Sequence, residues 1–554
     1  MRILIVFLTL FSTIISQAQQ KDTQVSWSKL VKVKPLTESQ EKNWQHLDIE
    51  KDTIPGLSFN TAYSKLLKDK KGKEVIIALL DTPVEISHKG LVKRVWVNDD
   101  EIANNNVDDD NNGYKDDVYG WNFLGNDDGE ISDFQHEEYI RVYAKFVSMF
   151  SENDFVVEDS LKLKNYLKAK SIYESKLKYA NEELEYSKLI RRVRTEGLKE
   201  LRKYFPDLDY ELGDLDSLKK QHPEDEYLQL QIKKMYGAKK YGITESYISI
   251  YEKEAKERIE KAVNPYYNER IIQNDNPNDI EDRIYGNGNI NFNTDKYTHG
   301  TRVSGALGFC FYDDVVYNFT PQIKIMPLVN SINGDRHTKD IAIAIMYAVD
   351  NGAKVINMSF GKNFSLNNEW IEESITYAEK NNVLIVTSAG NTSTNLDEKD
   401  IMNFPDDRGL LTGKEIVSNF IKVGSSTRYL DKRLKSSFSS YGKENVDLFA
   451  PADSIYTIMS GNKYRFEQGT SMASAVTCSV AALLFSYYPS LKASEVKQIL
   501  MDSGVEYDIL VDVPTKENPD QQLPFNQLSK SGKIVNAYNA MLMAEEFVKA
   551  KKKK

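Results

Sequence analysis

Four short apolar runs, each followed by a polar residue and separated by stretches with helical periodicity, constrain this chain more than any other feature. Glu74 to Leu80 (EVIIALL) ends at Asp81, and the pattern recurs at Ile323 to Val329 (IKIMPLV), Lys354 to Met358 (KVINM) and Val383 to Thr387 (VLIVT). Runs this short and this continuously apolar read as strands buried on both faces, because a half-solvated strand would alternate. Lys339 to Asn351 and Asn368 to Asn382 carry the helical pattern. Strand and helix in alternation predict an α/β fold, a parallel sheet with helices on both faces. In such a sheet, functional groups gather at the carboxyl ends of the strands.

The chain is long enough for more than that sheet. With 554 residues, 41% hydrophobic and 28% charged, there is room for a large core and additional modules. Lys and Arg number 72 against 82 Asp and Glu, a net charge of −10, and the one basic run is Lys551 to Lys554. That balance argues against nucleic acid or an anionic membrane as the main partner. Two cysteines, Cys310 and Cys478, allow at most one disulfide, and both read as buried small apolar residues.

Arg2, the apolar run Ile3 to Ile15 and the small residue Ala18 read as a secretory signal cleaved after Ala18. The run is shorter than the about 20 residues of a membrane span, and no other stretch approaches that length. The mature chain is therefore expected to be exported, to periplasm or outside the cell, with no transmembrane segment.

Residues 132–282 have another texture, rich in Lys, Glu, Tyr and Leu, and read as an inserted helical module. Tyr173, Leu177, Ala180 and Leu184 are spaced to share one helix face. The organisation expected is a signal at 1–18, a lead-in segment at 19–72, the core in two parts at 73–131 and 283–545 around the helical module, and a basic tail at 546–554.

The chemistry sits where strands end and helices begin. EVIIALL delivers Asp81, Thr298-His299-Gly300-Thr301 opens a small-residue segment, VLIVTSAG delivers Asn391, and Gly469-Thr470-Ser471-Met472-Ala473 opens an apolar helix running to about Tyr487. An acid, an imidazole, a hydroxyl and an amide are the parts that acyl transfer needs. Serine is a weak nucleophile near neutrality, so His299 would take its proton and return it to the leaving amine. Asp81 would orient His299 and stabilise the imidazolium. Ser471 at a helix start has its own N–H and the positive end of the helix dipole where an oxyanion develops, and Asn391 would donate a second hydrogen bond.

These motifs, in the chain order acid, histidine, serine, resemble those of the subtilisin-like serine peptidases. Asp81-Thr82 with His88 and Leu91 resembles the acid motif, His299-Gly300-Thr301 the histidine motif, and Gly469 to Ala473 matches the serine motif in full. Ser388-Ala389-Gly390-Asn391 resembles the oxyanion segment, and Ser359-Phe360-Gly361 the strand that pairs with a bound peptide. The likeness covers roughly residues 40–128 and 283–545. It implies a subtilisin-like sheet, serine endopeptidase activity on protein or peptide substrates, and substrate contacts from Ser359, Phe360, Gly361, Ser388, Ala389 and Gly390. Two positions depart from the family. Pro83 stands where the family has Gly and removes a backbone donor, and Ala475 stands where the serine motif is followed by Pro. The rival reading is an impaired enzyme that binds peptides in the same cleft.

A second constellation runs from Asp99 to Tyr119. Asp108, Asp110, Asn112 and Asp116 fall at positions one, three, five and nine of a calcium-loop-like pattern, with Gly113 at six. Tyr119 replaces the Glu that would complete an EF-hand, so the expectation is a calcium-stabilised surface loop of another kind, which suits the family's use of structural calcium.

Overall fold

The computed structural model describes residues 35–151, 160–307, 320, 322–410 and 412–553. The expected signal and Cys310 lie outside these residues. All four apolar runs are strands. They are β1 (Val75–Asp81) and, after the short β2 (Trp121–Asn122), β3 (Ile323–Val329), β4 (Val355–Met358) and β5 (Leu384–Ser388). Then come β6 (Phe420–Ser426) and β7 (Leu448–Pro451), with a separate antiparallel hairpin of β8 (Ile455–Met459) and β9 (Lys463–Glu467).

One sheet of nine strands runs Val505–Glu506, Lys533–Ile534, β7, β6, β5, β4, β1, β3, β2. Every pairing in it is parallel except that between the first two. The winding direction reverses at β1, because β2 and β3 lie to one side and β4 to β7 to the other. A crevice at the strand ends beside such a reversal is where an open parallel sheet holds its ligand.

Alternation along β1 divides the interior in two. Ile77 and Leu79 join a core with Met472 to Phe485, and Ala78 and Leu80 join a second core with Ile341 to Val349 and Ile371 to Ala378. Period-two alternation into two apolar layers is what a continuous run such as EVIIALL requires.

The helices, numbered from the helical region onward, are α1 (Glu138–Ser151), α2 (Ser160–Leu201), α3 (Leu212–Gln221), α4 (Glu226–Lys240), α5 (Glu245–Glu257), α6 (His299–Ala306), α7 (Thr338–Asp350), α8 (Asn368–Lys380), α9 (Thr470–Tyr487), α10 (Ala493–Ser503) and α11 (Ala537–Lys552). Helix α9 is buried at every residue from Thr470 to Ser486. Its length and composition suffice to cross a membrane, which corrects the expectation that no later stretch approaches that length. A helix apolar all round is instead satisfied in the centre of a large core, and α9 is packed there against β4, β5, β6 and β7.

Helices α1 to α5 lie between β2 and α6 in the chain, with the 42-residue α2 against α1, α4 and α5. Ala180 is buried, and Tyr173, Leu177 and Leu184 are partly so, on the shared face. The far end has its own cluster of Leu201, Leu215, Leu218, Leu228, Ile232 and Met235. At the near end Tyr139, Ile140 and Val142 of α1 and Ala169 of α2 close over Phe364.

That near end is also tied by charge. Glu138, 1% exposed, lies 2.7 Å from Arg141 and 3.1 Å from Lys362, and accepts hydrogen bonds from Thr338 Oγ1 at 3.1 Å and Leu366 N at 2.8 Å. Arg141 in turn meets Glu269 at 2.7 Å. Burial raises the Glu138 carboxyl, but Lys362 and Arg141 outweigh it and hold the group at about 2.

Removing one partner of a buried charge set strands the others, so Glu138→Ala should lower the unfolding free energy by about 3 kcal/mol. The carboxyl moves from the ordinary 4.5 to about 2 on folding. The wild-type margin over the variant should therefore be full above about pH 4.5 and shrink as the pH falls towards 2, which urea titrations of both proteins at pH 7 and pH 3 will read.

Candidate active site

Register levels the site. Leu80 pairs with Met358 and Met358 with Thr387, so the residues that follow, Asp81, Ser359 and Ser388, end three adjacent strands side by side. Asp81 is wholly buried, and its Oδ1 accepts hydrogen bonds from Thr82 N and from His299 Nδ1, both at 2.7 Å. His299 Nε2 lies 3.2 Å from Ser471 Oγ. Three groups, separated in turn by 218 and 172 residues, thus form one continuous relay.

The residues around each group explain how it is aimed. His299 is the first residue of α6, and Gly300 lets that helix press on the acid's turn, since a Cβ there would stand 2.1 Å from Thr82 O. Gly300 N donates to Thr82 Oγ1 at 2.8 Å, and Glu85 N donates to Thr301 Oγ1 at 2.9 Å. Pro83 lies within this turn without displacing the Asp81 bonds. Ala475 is buried within an unbroken α9.

Ser471 is the second residue of α9, so its N–H has no acceptor within the helix. Its Oγ also lies 3.0 Å from Ser359 O, so its one hydroxyl proton can turn to that carbonyl or to His299 Nε2 at 3.2 Å. Asn391 Oδ1 accepts from both Thr470 N and Thr470 Oγ1 at 2.9 Å, which fixes the amide and leaves Nδ2 as its remaining donor. Burial works to raise the Asp81 carboxyl, but His299 beside it, with Arg336 and Thr82 N–H, lowers it below the usual range, so it stays ionised.

The other sequence-predicted contacts border this relay. Ser359 and Phe360 are buried, and Gly361 is exposed beside Asn403. Ser359 Oγ is held by Asn357 Nδ2 at 2.8 Å and donates to Ser471 O at 2.9 Å. Ser388 and Ala389 are buried, and Gly390, at φ +97°, turns the chain towards Asn391 while its N–H donates to Thr470 Oγ1 at 3.1 Å. Cys478 is buried, with its thiol pushed well above the ordinary value by burial, and it approaches Asn357 Oδ1 at 3.5 Å.

One residue absent from the sequence reading stands in the site. The Arg336 guanidinium lies 3.9 Å over the Phe360 ring and 3.9 Å from Asp81 Oδ1, and its Nε donates to Asn330 Oδ1 at 3.1 Å. Arg336 follows β3 in an irregular loop, where neither period nor motif marks a residue as functional.

The acidic loop is drawn differently from its sequence pattern. The carboxylates within 4.8 Å of one another are Glu101, Asp110 and Asp117. Of the four expected ligands, Asp110 belongs to this group, and Asn112 Nδ2 donates to both Asp110 and Asp117 at 3.0 Å. Asp108 instead accepts from Asn112 N at 3.0 Å and Gly113 N at 2.8 Å, and Asp116 from Asn105 N at 3.2 Å and Asn106 N at 2.7 Å. Turn-forming N–H groups thus claim the two carboxylates that an evenly spaced reading assigns to metal. Burial raises the carboxyls of Glu101 and Asp117, and their negative neighbours add to it. Among the described residues no Lys or Arg pairs with any of the three. Hard oxygens and mutual repulsion fit a hard divalent cation, whose entry would displace the Asn98 and Asn112 Nδ2 donors from Asp110 and Asp117 and compete with the N–H groups of Asp109, Asp110 and Asp116 for Glu101.

Comparison with known proteins places the chain in a family. The family model described as the Subtilase family matches residues 72–527. The "Cell wall-associated protease" of Bacillus subtilis (strain 168) is 34% identical over 210 residues, 37% of this chain and 21% of that protein. "Subtilisin DY" of Bacillus licheniformis is 29% identical over 214 residues, covering 38% and 72% of the two chains. The "Thermophilic serine proteinase" of Bacillus sp. (strain AK1) is 35% identical over 196 residues, covering 35% and 43%. The match thus spans about a fifth of the first of these relatives and under half of the third. Among solved structures, a cold adapted subtilisin-like serine proteinase has 23% identity and a TM-score of 0.32, covering 43% of this chain and 74% of that one. A family model that runs from the residue before β1's approach to beyond the serine helix takes in every motif of the relay, and the chain belongs to the subtilase family.

Proposed function

We propose that this chain is an exported serine endopeptidase that hydrolyses peptide bonds through Asp81, His299 and Ser471, with Asn391 assisting. The observation that carries the reading is the unbroken hydrogen-bond relay from a buried, ionised Asp81 through both nitrogens of His299 to Ser471 Oγ. The printed names of the relatives, two of them proteases of bacilli, support the same chemistry.

Ser471 Oγ attacks the carbonyl carbon of the scissile bond while His299 Nε2 takes its proton. Asp81 keeps the other imidazole proton on Nδ1 and offsets the charge that His299 acquires. The carbonyl oxygen, now negative, accepts hydrogen bonds from Asn391 Nδ2 and Ser471 N–H at the start of α9. His299 returns the proton to the departing amine, leaving an acyl-enzyme, and water reverses the sequence to release the acid. The peptide lies extended between Ser359 to Gly361 on one side and Ser388 to Gly390 on the other. Calcium held by Glu101, Asp110 and Asp117 would fix the 98–117 loop without entering the reaction. Residues 1–18 supply the export signal.

A fluorophosphonate probe should label the wild-type protein and not Ser471→Ala, and labelling of both would remove Ser471 from the role. Asn391→Leu should cut kcat about a hundred- to a thousandfold with little change in KM, the size of effect known for such a donor in subtilisin. A change confined to KM would count against the oxyanion role. Calcium should raise the melting temperature of the wild type and leave that of Glu101→Gln unmoved, and equal shifts in both would refute the carboxylate site.

A further inference from the structure

Arg336 is an incompletely used cation beside Asp81 and Phe360. A guanidinium offers five N–H donors. Nε is taken by Asn330 Oδ1, while Nη2 stands 3.9 Å from Asp81 Oδ1, beyond hydrogen-bond reach. Neither Nη1 nor Nη2 makes a hydrogen bond among the described residues, although the side chain is only 12% exposed. Asp81 Oδ1 already accepts Thr82 N and His299 Nδ1, and Oδ2 is buried with no hydrogen-bond partner among the described residues, so the guanidinium is attracted to Asp81 without bonding to it. The other facing acid, Asp335, is turned to the N-terminus of α1, where its Oδ2 accepts Glu138 N at 2.8 Å.

The main chain around Arg336 is fixed, so its side chain is presented in one place. Lys362 Nζ donates to Arg336 O at 2.9 Å, Asp335 N to His136 O at 3.0 Å, and Arg141 Nη2 to Asp335 O at 3.0 Å. Phe360, beneath the guanidinium, closes its other face. A half-satisfied, desolvated and rigid guanidinium is a receptor for a carboxylate, which takes two parallel N–H bonds.

Its level along the cleft follows from Ser359. The Ser359 carbonyl lies 3.0 Å from Ser471 Oγ and so marks the residue that donates the scissile carbonyl. In an extended peptide paired with this segment, Phe360, one residue further along, would stand opposite the preceding substrate residue. We propose that Arg336 is a specificity-determining residue that selects an acidic side chain at the second residue before the cleaved bond. The inference rests on the peptidase reading above and names its substrate class.

The test uses the full chain and pairs of fluorogenic peptides that differ only by Glu against Gln at one position. Glu at the second residue before the bond should be favoured roughly tenfold in kcat/KM, with no such ratio at the third. In Arg336→Met the ratio should fall to about one, and Arg336→Lys should retain part of it. A residue that merely positioned Asp81 would lower kcat for both peptides alike. The same pairs titrated onto Ser471→Ala by fluorescence anisotropy should give the acidic peptide the tighter Kd. A wild-type ratio near one, or a ratio that survives in Arg336→Met, overturns the proposal. Probe labelling of Ser471 with no acidic preference would fail this inference alone. An acidic preference in binding without any labelling would fail the peptidase reading alone, and peptides neither bound nor cleaved would count against both.

Discussion

A negative charge with no exposure to solvent, at the end of the central strand, is the group on which the rest of the site depends. Burying an isolated carboxylate costs many kcal/mol, so Asp81 is tenable only while its neighbours donate to it. Thr82 N–H and His299 Nδ1 do so, and with the charge of the Arg336 guanidinium 3.9 Å away they hold the carboxyl below its usual range. The same three partners fix what Asp81 can do. With one oxygen committed to the imidazole, the histidine keeps one tautomer and one orientation, and its far nitrogen is left for the serine.

Levelled strand ends and a buried helix hold the other parts in place. β1, β4 and β5 stop together, so the residues after them share one rim, and α9 carries Ser471 to that rim from below. The helix is unusually well fixed because nearly all of it is inside the core, where a side chain displaced by one methylene is felt. Precision at the serine is thus inherited from packing far from it.

Much of this was legible in the sequence, for identifiable reasons. EVIIALL, IKIMPLV, KVINM and VLIVT became β1, β3, β4 and β5 with ends within about one residue, because strands buried on both faces are mostly apolar, Lys324 and Asn357 being the polar residues inside them. Asp81, His299, Ser471 and Asn391 were visible because each follows a strand or opens a helix. β6 was not, since Phe420 to Ser426 contains Lys422, whose ammonium is buried against Asp406 at 3.1 Å, a pairing no local pattern reveals. The acidic loop misled in the same way. Even spacing suggested Asp108 and Asp116, but turns at Asn106 and Asn111, both with positive φ, fold those carboxylates back on backbone N–H groups and bring Glu101 and Asp117 inward. Arg336 needed the third dimension altogether.

The charges at the near end of the helical region carry a consequence for how such a protein can change over time. Lys362, on the wall that would receive substrate, has Glu138 as its counter-ion, and Glu138 belongs to α1. Without α1, Lys362 would lose its ion-pair partner Glu138 and Phe364 its cover. Loss of the helices would therefore be coupled to a change at position 362. The helical region and this core position are thus tied to each other by one ion pair.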